Sequence, residues 1–311
     1  MNNIITTDKG RFFMKKGFIL IISLLFFAVV FLQPVSAETN EKKLLIGLIP
    51  EMNIFKQKER FKPLGVYLSK KTGVDVRFTV LSRYGNIIER FEKEKMDGAF
   101  FGSFTGAAAV YKLGVIPLVR PVNLDNTSTY HGYIFVRKDS NIKDVKDMKG
   151  KTMAFVEKST TAGYVFPLAY LREHGIASPD NFFREYYFAG SHDAAIDAVL
   201  NRSADIGAAK HSIFDRMKKE NSRVEKELVI IAQSPPVPSN GLCVRKDLAE
   251  DLKKKLKEAL LGIHNDSEGQ AVLKQFGAIK FIETTAADYE PVHGLAVKAG
   301  IDLKKYKWKN E

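Results

Sequence analysis

One alternation near the start of the chain limits what it can fold into. Leu44–Ile49 is a short apolar run that ends at Pro50 and reads as a buried strand. Residues 61–72 place Phe61, Leu64 and Leu68 at helical spacing and stop at Gly73, a helix-ending residue. Val74–Leu81 alternates as a strand. Residues 84–95 then set Ile87, Ile88 and Phe91 on one helical face, and 98–102 reads as a strand and turn. A β-α-β-α-β order implies an open parallel sheet in an α/β protein. Such sheets bind ligands beyond the carboxyl ends of their strands. Here those ends are Ile49-Pro50-Glu51, Ser82-Arg83-Tyr84 and Gly102-Ser103-Phe104-Thr105.

A second unit follows. Residues 133–138 form a strand, and 145–150 a short helix closed by Gly150. A strand over 152–156 leads to a helix over 164–174, and a helix over 194–200 leads to a strand over 204–209. After a strand at 228–232, Pro235, Pro236 and Pro238 make a stiff, non-helical crossing. A strand at 242–245 and helices over 248–263 and 267–276 complete the pattern. One α/β unit therefore lies before about residue 131 and another between there and 236.

The N-terminal segment is not part of that fold. Lys15-Lys16 precedes an apolar run over 17–32, and Val35-Ser36-Ala37 supplies small residues for cleavage after Ala37. This is the pattern of a secretory signal peptide over 1–37, whether translation starts at Met1 or Met14. The sixteen-residue apolar run is short for a membrane span, which needs roughly 20 residues. Removing 1–37 leaves 44 basic and 35 acidic residues, a net +9. The lysines are dispersed and lack an aromatic-basic stacking motif, so nucleic acid is not expected as a partner. The charge suits solubility and mild attraction for small anions. Cys243, the one cysteine, lies between Leu242 and Val244 and reads as a buried, inert thiol. No disulfide, thiolate metal cluster or cofactor is expected.

The stretch most suggestive of chemistry is 159–167, beginning Ser159-Thr160-Thr161-Ala162-Gly163-Tyr164. It lies between a strand and a helix. Consecutive hydroxyls suit helix starts, where they can satisfy free backbone N–H groups. The same free donors and the positive end of the helix also make a helix start a small anion cup. The residues alone allow either reading.

The chain resembles the PhnD-like group, the periplasmic solute-binding proteins of phosphate, phosphite and phosphonate ABC transporters. The likeness spans nearly all of 42–293 and rests on segments in order: 63–73, 96–102, 145–156, 159–167, and Gly190-Ser191-His192-Asp193 with 204–208. Ala287–Val292 also fits. The resemblance implies a two-lobed α/β periplasmic binding protein, each lobe a mostly parallel sheet flanked by helices. Lobe 1 would be discontinuous, 42–130 plus 240–311, and lobe 2 would be 131–239. Two hinge strands, near 129–133 and 238–242, would join them, and the cleft would close on its ligand.

It further implies that the serine/threonine cluster at the helix start binds a phosphorus oxyanion. Ser159, Thr160 and Thr161 match that pattern, whereas Ala162 has lost its hydroxyl and offers only an N–H. His192 would donate to the oxyanion, and Tyr84 and Tyr130 would close over it. Members that accept aminophosphonates carry carboxylates at positions aligned with Ser212 and Asn240, and neither is acidic here. A buried ammonium without a carboxylate is poorly compensated. The expected ligand therefore lacks an amine: phosphite, phosphate or an alkylphosphonate. Lys210 and His211 are expected either to add positive charge at the cleft or to face solvent. The expectation is a periplasmic monomer, not an enzyme, serving an ABC permease in the inner membrane. The alternatives are a ligand-sensing module for a receptor or kinase and, less favoured, an exported enzyme.

Overall fold

The computed structural model describes residues 43–81, 83, 87–303 and 305. The expected signal peptide, Tyr84 and most of the C-terminal tail lie outside the described residues. In the first part, β1 (Lys43–Leu48), α1 (Ile54–Thr72), β2 (Asp75–Val80), α2 (Ile87–Lys93), β3 (Gly98–Phe101), α3 (Ser103–Leu113) and β4 (Ile116–Asn123) follow one another. Helix α1 begins a full two turns before the apolar spacing suggests. Asn53 sets this start, its Oδ1 accepting the N–H groups of Phe55 at 3.0 Å and Lys56 at 3.4 Å. It ends where expected, at Gly73, whose φ of 72° suits glycine.

A short strand, β5 (Thr129–Tyr130), carries the chain into a second sheet. There β6 (Gly132–Arg137), β7 (Thr152–Phe155), a helix running 161–173 whose regular part is α4 (Phe166–Glu173), and β8 (Glu185–Phe188) are followed by α5 (His192–Leu200), β9 (Ile206–Lys210), α6 (His211–Glu220), α7 (Ser222–Glu227) and β10 (Leu228–Gln233). The proline crossing forms β11 (Val237–Pro238), which pairs antiparallel with β5. The chain then returns through β12 (Gly241–Val244), α8 (Glu250–Gly262), α9 (Ser267–Phe276), β13 (Ala278–Glu283) and α10 (Glu290–Lys298).

Two main sheets result, in the two-lobed binding-protein architecture. One is ordered β13-β4-β12-β3-β1-β2 and the other β10-β6-β9-β7-β8. The sheets are mixed rather than mostly parallel. Strands β2, β1 and β3 run parallel, as do β8, β7 and β9. Strands β12 and β6 pair antiparallel on both sides. The reason is connectivity: these two strands enter directly from the β5–β11 crossing, with no helix to turn them back.

Leu64, Leu68, Phe100, Leu256 and Phe276 pack in the apolar layer between the first sheet and α1, α8 and α9. Ile196, Val199, Phe214 and Val224 do so between the second sheet and α5, α6 and α7. Helix α10 lies against both α3 and α4, tying the two halves together, with Lys298 Nζ 2.7 Å from Glu173. Cys243 is fully buried on β12, and burial pushes its thiol up to about 12.

Candidate functional site

Five parallel strands direct their carboxyl ends toward one small cavity. Glu51 follows β1, Ser103 follows β3, Ser159–Thr161 follow β7, His192 follows β8 through Gly190, and Lys210 is the last residue of β9. Tyr130 on β5 and Asn240 before β12 complete the lining from the crossings. The strand-end rule for open α/β sheets is thus obeyed by both sheets at once. Glu51 and Lys210, 159 positions apart, meet here.

The wall after β7 is an uncapped helix start. A π-helical turn, Thr161–Val165, leads directly into α4. Its ladder begins only with Val165 N–H to Thr160 O at 3.1 Å and Phe166 N–H to Thr161 O. The N–H groups one turn earlier therefore have no acceptor within the helix. No side chain caps it. Thr160 donates its hydroxyl to Glu157 O at 2.6 Å. Thr161 Oγ1 accepts the N–H of Phe104 at 3.0 Å and is also hydrogen-bonded to the Tyr130 hydroxyl. Ser159 is 2% exposed, and its hydroxyl has no partner among the described residues. Gly163 lets this turn sit against β7: its carbonyl accepts Val156 N–H at 3.1 Å, and a Cβ there would collide with the Val156 side chain.

His192, 4% exposed, stands opposite as the first residue of α5. Burial lowers its pKa from 6.5 to about 4, against the pull of Glu51, so the ring is neutral at pH 7. Its Nδ1 accepts the Lys210 N–H at 3.2 Å, which puts the ring proton on Nε2. The imidazole is therefore a neutral donor. Tyr130 is buried, and burial raises its pKa. Ser103 Oγ lies 2.8 Å from Pro238 O, which can only accept, so its proton goes there and the Tyr130 hydroxyl donates to Ser103 at 2.6 Å.

The charged part of the site is a buried pair that sequence patterns do not reveal. Lys210 Nζ lies 2.7 Å from Glu51 Oε1 and 3.2 Å from Asn240 Oδ1, and 4.5 Å from the centre of the Tyr130 ring. Arg60 approaches the other Glu51 oxygen at 3.4 Å. Burial opposes ionisation of Glu51, but Lys210 and Arg60 prevail and hold its carboxyl at about 2. Burial also lowers the pKa of Lys210, with Glu51 resisting. Lys210, for which the sequence left cleft and solvent both open, is buried and lines the cavity.

These features together are a donor-rich cup with one fixed cation. A family model described as "ABC transporter, phosphonate, periplasmic substrate-binding protein" matches residues 46–289. The chain belongs to this phosphonate-binding family. Its members are periplasmic substrate-binding components of ABC transporters. The Phosphonates-binding periplasmic protein of Escherichia coli is 27% identical over 86% of this chain and 79% of its own length. The probable ABC transporter phosphite binding protein PhnD1 of Prochlorococcus marinus is 25% identical over 92% and 98%. The structure of that PhnD1 with methylphosphonate superposes with a TM-score of 0.75 at 23% identity, covering 84% of this chain and 99% of that one. A binding protein of an ABC phosphonate transporter from Pseudomonas aeruginosa gives 0.78 at 22%, covering 84% and 87%.

In this chain the cup gathers Ser159, Thr160, Thr161, His192, Tyr130 and Asn240. Ala162 is buried but does not line it; its methyl lies against Gly132 of β6. Ser212 and His211 line a larger outer cavity of about 620 Å³ instead. His211 Nδ1 accepts the His131 N–H at 3.1 Å, and its Nε2 is 3.7 Å from Asp125. Glu51, Lys210, Ile49 and Asn240 line both spaces, so they form the wall between them. Sequence reasoning did not give Glu51, Ser103 and Arg60 a role, although Glu51 and Ser103 fall within the strand-end segments it singled out.

Proposed function

We propose that this chain is an exported binding protein that captures a small phosphorus oxyanion without an amine (phosphite, phosphate or an alkylphosphonate) and delivers it to an ABC permease in the inner membrane. A signal peptide over 1–37 sends it to the periplasm, where it acts as a monomer. The ligand sits between lobe 1, 42–130 plus 240–311, and lobe 2, 131–239, with β5 and β11 as hinge strands. Ser159, Thr161, His192 and the free N–H groups at the helix start donate to its oxygens. Tyr130 and Tyr84 close over it, and Asn240 borders it.

The observation that carries this reading is the Ser159 hydroxyl, buried at 2% exposure with no partner among the described residues, beside an uncapped helix start. A buried hydroxyl left unsatisfied costs about 1–3 kcal/mol. A ligand oxygen repays that cost. The named ligands of the relatives, phosphonate, phosphite and methylphosphonate, are of the same chemistry. Free space in the cup is about 10 Å³, about one water, so a tetrahedral oxyanion enters only as the walls part. That agrees with a cleft that opens and closes.

Calorimetry and thermal melting against phosphite, phosphate, methylphosphonate and 2-aminoethylphosphonate, with sulfate as control, test the proposal. One of the amine-free phosphorus anions is expected to bind tightest. At about 100 times its Kd it adds roughly 2.7 kcal/mol of stability. Selective binding of sulfate, or no binding by any phosphorus anion, sinks it.

A further inference from the structure

Among the described residues Lys210 is the cation whose ammonium lies in the wall of the cup, and the hydrogen bonds of its side chain go to other cup residues. Its Nζ meets Glu51 at 2.7 Å and Asn240 at 3.2 Å, and its backbone N–H holds His192 Nδ1 at 3.2 Å. The side chain is 10% exposed. An ammonium has three donors. Among the described residues Lys210 uses two, on Glu51 and Asn240, so one remains for a ligand oxygen.

The charge of this buried group is not balanced internally. Glu51 contacts two cations, Lys210 and, at 3.4 Å, Arg60. Arg60 is turned away from the cup: it lines the outer cavity, donates Nε to Phe276 O at 2.6 Å and lies over the Phe276 ring. One carboxylate between two cations leaves a net +1, and the cation that faces the cup is Lys210. The other cup donors, His192 and the hydroxyls, are neutral. A buried net charge calls for a compensating one.

We propose that Lys210 is a specificity-determining residue, a resident ammonium that selects compact anions and rejects ligands bearing their own cation. This rests on the oxyanion reading above and goes further by naming the residue and its effect. A ligand ammonium reaching the same wall would meet Lys210 head on. The acceptors that could have received it, Glu51 and Asn240, are already engaged. Juxtaposed like charges in a desolvated site cost heavily, whereas an anion completes the charge balance.

The test compares ethylphosphonate with 2-aminoethylphosphonate, which differ by one ammonium, on the full secreted chain. Wild type is expected to favour ethylphosphonate by about tenfold or more. Lys210→Met leaves Glu51 paired with Arg60. It is expected to weaken ethylphosphonate about tenfold or more and to shrink the preference by a similar factor. Lys210→Gln, which keeps a donor toward Glu51, is a second variant in case the first does not fold, with thermal melting as the check on both. A wild type that binds both ligands equally overturns the proposal, as does a folded variant that loses affinity with its preference unchanged. Failure of wild type to bind any phosphorus anion overturns the oxyanion reading itself, and is thereby distinguishable.

Discussion

The helix that starts at His192 and the one that starts at Thr161 both open onto the cup, yet they begin differently. At the first, Ser191 Oγ accepts the Ala194 N–H at 3.4 Å, and the Asp193 carboxylate accepts the same N–H at 3.0 Å. Asp193 also reaches across to the N–H of Asn53 at 2.8 Å. At the second, Ser159 and Thr160 precede the turn, Thr161 opens it, and none of the three caps it. Thr160 donates its proton back to Glu157 O, Thr161 accepts from Phe104, and the Ser159 hydroxyl has no partner among the described residues. A helix start that satisfies its own donors is scaffold. One that leaves them open, next to a buried orphan hydroxyl, is arranged for something that arrives later.

Several measurements break or sharpen this contrast. The largest effect concerns the histidine on the capped side. The folded chain refuses a proton at His192 until about pH 4, whereas the unfolded chain takes it near 6.5. The unfolded state therefore binds more protons in that window, and stability falls as pH drops from 6.5 toward 4. For this group the loss approaches about 3 kcal/mol. Glu51, at about 2 when folded against 4.5, adds a further loss only below 4.5. Urea titrations of wild type and His192→Asn at pH 7 and pH 5 check this, the variant being the flatter.

Thr161→Ala removes a donor from the open start and costs oxyanion binding about tenfold or more, since hydrogen bonds to charged groups are worth about 1.5–3 kcal/mol. Calorimetry with phosphite or methylphosphonate reads it; unchanged affinity places the cup elsewhere. Ser159→Ala gives the sharpest sign test. It is expected to weaken binding by about tenfold while leaving stability unchanged or raised by up to about 1 kcal/mol, because an orphan hydroxyl is removed. If melting shows a loss instead, Ser159 is structural. Ser191→Ala does the opposite, lowering stability by about 1 kcal/mol through the lost cap with little effect on affinity.

Strands β1, β2, β3, β6, β7, β9, β10 and β12 were legible because local chemistry fixes them, whereas β4, β8 and β13 were not read from the sequence. Leu44–Ile49 is apolar enough to be a buried strand, and Gly73 ends a helix wherever that helix begins. The start of α1 was misread by several residues because Asn53 caps it from a stretch with no apolar repeat. The antiparallel pairing of β6 and β12 was missed because no local pattern records which way a strand enters a sheet.

By itself, the sequence determined the two α/β units, the crossing at 235–238, the exceptional hydroxyl stretch and a helix close after His192. All of these depend on neighbours within a turn or a strand. Only the tertiary structure decided that the stretch would remain uncapped, that Ala162 would turn to Gly132, and that Glu51 and Lys210 would meet across 159 positions. The reason is physical. A cap or an ion pair depends on which donor lies within about 3 Å of which acceptor, and that distance exists only once two sheets have brought their strand ends together.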